Sequence, residues 1–255
     1  MIDKTDFDFE AVFEVDDYLY FYSESLTDER SEAEVAALEQ LLELDHPMTI
    51  LDLACGFGRH ANRLAAKGHT VTGIDLMPGF IELARQDALR RAVQVDYCQG
   101  DIRQIDFHQA FDRVCLLFTA FGYFDDDENL LVLKKVTQAL KLDGLFIFDT
   151  HNRDVFLKDF RPAFVTEKGT DLMIDRISFD TSTGRLYNRR IVIRNGLRKD
   201  KPFTIRLYNP SEVRAILAQA GLEVYKLYGS WDGQPLSTES RRMIVVARKT
   251  VASDQ

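Results

Sequence analysis

Ile50-Leu51-Asp52-Leu53-Ala54-Cys55-Gly56-Phe57-Gly58-Arg59-His60 is the stretch on which the fold turns. Its apolar opening reads as a buried strand. Two glycines break that strand into a turn, and an apolar helix follows from Ala61. Strand, glycine turn and helix make a nucleotide-binding βα unit. The glycines let the backbone bend tightly and let a ligand approach the main chain, while the helix start offers unpaired N–H groups. Gly56, Gly58 and Ala61 satisfy the loose G-x-G-x-x-G/A pattern, which alone does not name the ligand.

The acids around the turn say more. Asp52 ends the strand just where a phosphate would sit and be repelled, so it suits an ammonium or a bridging water. Asp75 closes the next apolar stretch, Thr70–Asp75. An acid about 20 residues past the loop takes ribose hydroxyls. Asp101 follows a third strand, in Gly100-Asp101-Ile102. Three acids at three successive strand ends describe an adenosine-bearing ligand with a cationic amino-acid tail and no phosphate. S-adenosylmethionine (SAM) fits that description.

At these residues the chain resembles the class I SAM-dependent methyltransferases, and within them the glycine N-methyltransferase and sugar-amine N-methyltransferase branch. The motifs LDLACGFGRH (51–60), VTGIDL (71–76), QGDI (99–102), FDRVCLLFTAFGYF (111–124) and LKLDGLFIFDT (140–150) carry the resemblance, in the family's order and spacing. It implies an α/β fold: a Rossmann-like, seven-stranded, mostly parallel sheet with helices on both faces. It further implies that Asp75 holds the ribose diol, and that Asp101 bonds the adenine amino group with the Ile102 N–H on the ring. Ala54 and Gly56 would line the methionine portion with Arg59 near its tail, and Leu76 and Leu117 would complete the cofactor set. The product would be S-adenosylhomocysteine.

Residues 1–46 precede the first core strand and are rich in aromatics, among them Phe7, Phe9, Phe13, Tyr18 and Tyr22. Most of them read as packing. The run Tyr…Thr-Asp-Glu-Arg-Ser-Glu-Ala-Glu nevertheless resembles the N-terminal arm of glycine N-methyltransferase. That resemblance closes the arm over the cofactor, adds Tyr22 to the cofactor set and pairs Arg30 with the methionine carboxylate, a role suited to a guanidinium. The other reading of Arg30 is a surface charge at a helix start. Met1–Asp6 lacks a basic-then-apolar leader signature.

Between residues 47 and 159, strands and helices alternate. A helix is expected from Pro78 to about Arg91, a fourth strand over Phe111–Phe118 and a fifth over Leu145–Thr150, after a turn at Asp143-Gly144. Asp125–Glu128 starts a helix, where acids suit the dipole, so the acid run is not read as a metal site. Tyr123 leaves the fourth strand where related sugar-amine enzymes place a histidine. It reads either as a substrate-facing aromatic or as core. His151, beyond the fifth strand, reads either as a proton acceptor or as a loop-shaping side chain. Tyr22, Tyr123 and His151 are the catalytic candidates.

Residues 160–208 lie outside the minimal fold. Ala163–Thr166, Leu172–Asp175, Arg176–Thr181, Leu186–Arg194 and Phe203–Leu207 read as strands, with Thr183-Gly184 and Asn195-Gly196 as hairpin turns. They form an inserted antiparallel β lid over the crevice. Residues 209–255 return to the main domain with a helix from Asn209-Pro210 to Ala220 and two strands, Leu222–Tyr228 and Met243–Arg248.

The 255 residues carry a net charge of −9, which argues against nucleic-acid or anionic-membrane binding. No apolar run is long enough to span a bilayer. Cys55, Cys98 and Cys115 lack metal spacing and read as reduced thiols of a cytoplasmic protein. The expected partners are a small-molecule substrate and a second copy of the chain, as a homodimer. The expected function is methyl transfer by in-line displacement to a small-molecule nitrogen or oxygen. Two alternatives stay open: a non-catalytic SAM- or S-adenosylhomocysteine-binding module, and an NAD(P)-dependent oxidoreductase.

Overall fold

The structure, a computed structural model, describes residues 7–250, so the reading of Met1–Asp6 lies outside the described residues. The arm comprises α1 (Phe9–Val12), α2 (Val15–Tyr22) and a short 3₁₀ turn, Ser23–Ser25. It leads into α3 (Asp28–Leu41), capped by Thr27, whose hydroxyl accepts from the Arg30 N–H at 3.2 Å.

The main domain then alternates β1 (Thr49–Leu53), α4 (Ala61–Ala66), β2 (Thr70–Asp75), α5 (Pro78–Arg90), β3 (Asp96–Gln99), β4 (Phe111–Leu116), α6 (Asp126–Ala139) and β5 (Leu140–His151). After α7 (Arg153–Lys158) come four antiparallel strands, β6 (Ala163–Lys168), β7 (Asp171–Asp180), β8 (Arg185–Arg194) and β9 (Leu197–Arg206). The chain closes with α8 (Pro210–Gln219), β10 (Leu222–Tyr228) and β11 (Arg242–Lys249).

The seven-stranded sheet runs β10-β11-β5-β4-β1-β2-β3, and β11 is antiparallel to both of its neighbours. Alternate residues of each central strand enter opposite cores. Leu51, Leu53, Val114, Phe146 and Phe148 pack with Val132 and Val136 of α6 and Leu217 of α8. Ile50, Cys115 and Ile147 pack with Leu38 of α3, Leu64 of α4 and Ile81 of α5. Burial on both faces is why these strands read as unbroken apolar runs. The expected mostly parallel sheet, covered by helices on both faces and accompanied by a separate antiparallel sheet, is what the chain forms.

Local readings needed correction. β4 stops at Leu116, short of Phe118, because Phe118 and Thr119 turn into the left-handed region (φ 63° and 61°). The turn expected at Asp143-Gly144 is an irregularity inside a longer β5, whose pairing with β4 shifts between Phe111↔Leu140 and Arg113↔Leu145. Leu172–Asp175 and Arg176–Thr181 are one continuous β7, since Arg176 is an outward residue in a regular ladder, opposite Arg189. β9 starts at Leu197, directly after the Asn195-Gly196 turn, and its first four residues are exposed, which hid the strand from hydrophobic patterning.

The four-stranded sheet, in order β6-β7-β8-β9, meets the arm through Met173 and Val192 against Phe21. An ion network clasps the two together. Asp17 of α2, 5% exposed, accepts from Lys201 (2.7 Å), Lys199 (3.2 Å) and Arg194 (3.0 Å), and Glu14 also bonds Lys201. Burial raises the Asp17 carboxyl, but those cations outweigh it and hold the group well below the usual carboxylate range.

Candidate active site

A cavity open to solvent lies beyond the carboxyl ends of β1, β2, β3 and β4, where open α/β sheets hold their ligands. Its floor is the glycine turn. Ala54, Gly56 and Gly58 all have positive φ. Gly58 also has no room for a side chain, since a Cβ there would sit 2.2 Å from the Tyr97 hydroxyl. A Cβ on Gly56 would meet nothing within 4 Å, so the main chain is bare on that side of the turn.

Asp52 lines the cavity, is 1% exposed, and has a buried Oδ2 with no hydrogen-bond partner. Burial pushes its carboxyl up to about 7, against the nearby Arg59 charge and with the help of Asp75. Asp75 accepts from the Gly56 N–H at 2.8 Å and the Met77 N–H at 2.9 Å. Burial raises it too, and those amides pull it back. Asp101 also lines the cavity, but its carboxylate is engaged by Arg103, with Nη2 at 2.6 Å and the Arg103 N–H at 2.8 Å. Burial raises Asp101 and the Arg103 bonds more than offset it. Arg103 also lies 4.4 Å over the Phe124 ring, and it was not singled out in the sequence.

Ala54, Gly56, Arg59, Leu76, Ile102 and Leu117 line the same cavity, as does Tyr123. Among the described residues the Tyr123 hydroxyl has no hydrogen-bond partner. Its ring packs 5.5 Å from Phe13 and 6.0 Å from Phe203, and burial raises its pKa well above the ordinary phenol value. Phe9, Phe13 and Tyr18 of the arm complete this aromatic end, which the sequence had assigned to simple packing.

Three expected site residues do not reach the cavity wall. The Tyr22 hydroxyl accepts from Arg190 of β8 at 3.0 Å. The Arg30 Nε donates to the buried Glu34 at 2.8 Å, and its guanidinium lies 5.7 Å from the Phe118 ring. His151 ends β5 opposite Arg242, with its ring 5.6 Å from Phe156, and burial lowers its pKa.

Two buried acids organise the site from behind. Glu34 binds Arg30, the Arg59 guanidinium and, at 2.9 Å, the His60 Nε2. Burial brings His60 down to about 4, so the ring is neutral at pH 7. Arg59 is thereby held 5.1 Å over Phe118. Asp149 of β5, fully buried, accepts from the Phe118 N–H at 2.6 Å and pairs with Arg242, which also donates to the Thr119 hydroxyl at 2.6 Å. These bonds hold the left-handed pair Phe118-Thr119. Glu34 was detectable as the residue four beyond Arg30, and Asp149 as an acid inside an apolar strand.

A methyltransferase-domain family model matches residues 50–144. Over 215 residues the chain is 30% identical to a dTDP-4-amino-2,3,4,6-tetradeoxy-D-glucose N,N-dimethyltransferase of Saccharopolyspora spinosa, covering 80% of this chain and 84% of that one. The chain belongs to the methyltransferase-domain family. This methyltransferase is also 27% identical over 208 residues to putative methyltransferase YqeM of Bacillus subtilis, covering 79% of this chain and 84% of that one. Its fold matches an S-adenosylmethionine-dependent methyltransferase from Clostridium acetobutylicum with a TM-score of 0.78 at 17% identity, covering 92% of this chain and 99% of that one. The expected class holds: the enzyme is a SAM-dependent methyltransferase, with SAM as methyl donor.

Proposed function

We propose that this methyltransferase methylates an amine of a small molecule held at the aromatic end of the cavity. The observation that carries the placement is Asp52, a buried carboxylate with one oxygen unpartnered at the cavity wall. An ammonium satisfies that oxygen, and a phosphate would be repelled by it. The SAM tail therefore lies against Asp52 and Gly56, with Arg59 behind. Asp75 takes the ribose, and Ile102 and Leu76 enclose the adenine. Asp101 meets the adenine edge with the oxygen capacity that Arg103 leaves free.

When bound, SAM supplies a methyl group on an already activated sulfonium. The chain's own contribution is then position and dryness. Phe9, Phe13, Tyr18 and Phe124 exclude water, and Tyr123 stays protonated at neutral pH, as a hydrogen-bond donor rather than a base. An acceptor that needs no base is a neutral amine, and the Saccharopolyspora relative is named for N,N-dimethylation. Tyr22 supports the arm through Arg190, and His151 stands outside the cavity. Cys55, Cys98 and Cys115 are free and no described helix is long and apolar enough to cross a membrane, which supports a cytoplasmic location.

Calorimetry with SAM tests the donor site, and S-adenosylhomocysteine release with matched amine and alcohol panels tests the acceptor. Turnover with alcohols alone overturns the amine reading. Binding without release on either panel favours a cofactor-sensing module.

A further inference from the structure

Arg103 joins three pieces of chain that meet beside the cavity. Its own segment carries Asp101, two residues beyond β3. Its guanidinium lies 4.4 Å over the ring of Phe124, at the aromatic end, and its Nη1 donates at 2.5 Å to Glu128 in the first turn of α6. Glu128 is placed in turn by the helix cap, since Asp125 accepts from the Glu128 N–H at 2.8 Å. Phe124 is placed through its carbonyl, which accepts from Asn129 at 2.9 Å and from Arg185 of β8 at 3.1 Å. Asp101 and Phe124 line the cavity, whereas Glu128 is half-buried and lies off its wall.

The bonds to Asp101 fix a direction as well as a charge. Oδ1 accepts from the Arg103 main-chain N–H at 2.8 Å, and Oδ2 accepts from Nη2 at 2.6 Å. The Arg103 Nε sits between the two oxygens, at 3.1 and 3.0 Å. A carboxylate offers about four lone-pair sites, so Arg103 fills about three and leaves about one. The last torsion of an aspartate is soft, and an unanchored carboxylate turns freely about it. A guanidinium is a rigid fork, and a fork fastened on Phe124 and Glu128 sets the carboxylate plane. The aim of the remaining site therefore depends on Arg103.

We propose that Arg103 is a positioning residue for the methyl donor: it holds the free acceptor site of Asp101 toward the adenine amino group and takes its own position from Glu128 and Phe124. The inference rests on the adenine placement proposed above, and it adds the residue that makes Asp101 selective for an amino group. Charge alone does not supply that selectivity. A lysine at position 103 would neutralise Asp101 without fixing its plane. The start of α6, off the cavity wall, thereby takes part in reading the donor. The same guanidinium backs the acceptor end through Phe124, so one side chain supports both halves of the site.

The test is calorimetry on the full chain with S-adenosylhomocysteine and with its 6-deamino analogue, in which hydrogen replaces the adenine amino group. Thermal melts confirm folding. Wild type should favour S-adenosylhomocysteine by about 10- to 100-fold, the range of one hydrogen bond to a charged group. Arg103→Met and Arg103→Lys should each bring that ratio to within about threefold. Glu128→Ala, which removes only the outer anchor, should lower the ratio about threefold or more. A merely structural role would weaken both ligands alike. An unchanged ratio in the Arg103 variants therefore overturns the proposal and leaves the adenine placement standing. A ratio that rises in Arg103→Met makes Arg103 a competitor of adenine for Asp101, and overturns it too. Equal binding of both ligands by wild type removes the adenine placement and the proposal with it. Should Arg103→Met not fold, Arg103→Lys and Glu128→Ala decide, and an unchanged ratio in both is refutation.

Discussion

Removing the negative charge of Asp52, by acid or by Asp52→Asn, should weaken SAM binding by an amount that follows from burial. In the ligand-free cavity the Asp52 carboxyl sits at about 7, raised by burial first, lowered by Arg59 and raised again by Asp75. Only the ionised form meets an ammonium, so the apparent Kd carries the factor 1 + 10^(pKa − pH). SAM should bind about twofold more weakly at pH 7 than at the alkaline plateau, roughly tenfold at pH 6 and roughly 100-fold at pH 5. Above about pH 8 the donor's own amino group begins to titrate, so the profile turns over there. The stability of the ligand-free protein runs the other way. Unfolded aspartate titrates near 3.9, so between about pH 4 and 7 the folded protein keeps a proton that the unfolded chain has released. This group's contribution to stability is full below pH 4 and is lost as pH rises through 7. Asp52→Asn should flatten the binding profile and lower affinity at pH 8 by about 10- to 100-fold, the worth of one charge-assisted hydrogen bond. The assay is calorimetry from pH 5 to 8, with 5′-methylthioadenosine, which lacks the amino-acid tail, as the control without a slope. A flat wild-type profile, or the same slope in Asp52→Asn, would refute the assignment.

Three further outcomes are expected. Gly58→Ala should lose about 2–5 kcal/mol, because its φ of +76° is unfavourable to a side chain and the new Cβ meets Tyr97. Gly56→Ala should melt closer to wild type yet lose SAM affinity, and equal melting temperatures for the two would contradict the cavity geometry. Arg242→Met strands the buried Asp149 and should cost about 3–5 kcal/mol, much of it recovered by adding Asp149→Asn; additive losses in chemical denaturation would deny the pairing. Tyr123→Phe should lower kcat by less than about tenfold without moving the pH profile, since burial keeps the phenol protonated, whereas a larger loss with a vanished basic limb would make it a base.

The parts of the site legible in the sequence are those set by local rules. A strand, a glycine turn and an acid at each strand end are adjacent in the chain, and Asp52, Gly56, Asp75 and Asp101 do converge on one cavity. The arm obeyed no such rule. Arg30 and Tyr22 were placed by likeness to another arm, and which aromatic faces inward depends on how α2 rolls against β8. In this chain Tyr18 turns in and Tyr22 turns to Arg190. His151 shows the same limit at a strand end, where one residue of register decides between the crevice and Phe156. Phe118 was hidden for another reason, and Asp149, though visible as an acid inside an apolar strand, had no partner that the pattern could name. An apolar residue with a left-handed backbone and an acid inside a strand both look like errors of pattern until their mutual hydrogen bond is seen.

The clasp between Asp17 and Lys201 joins groups 184 residues apart in the chain. During synthesis the arm leaves the ribosome 184 residues ahead of the Lys201 that completes the clasp. At about 5–20 residues per second, α2 waits roughly 10–40 s for the lysines that complete it. Through that interval Phe21 lacks Met173 and Val192, the sheet residues it lies against. The buried face of α2 thus stays uncovered far longer in the nascent chain than the glycine turn, whose neighbours follow within seconds.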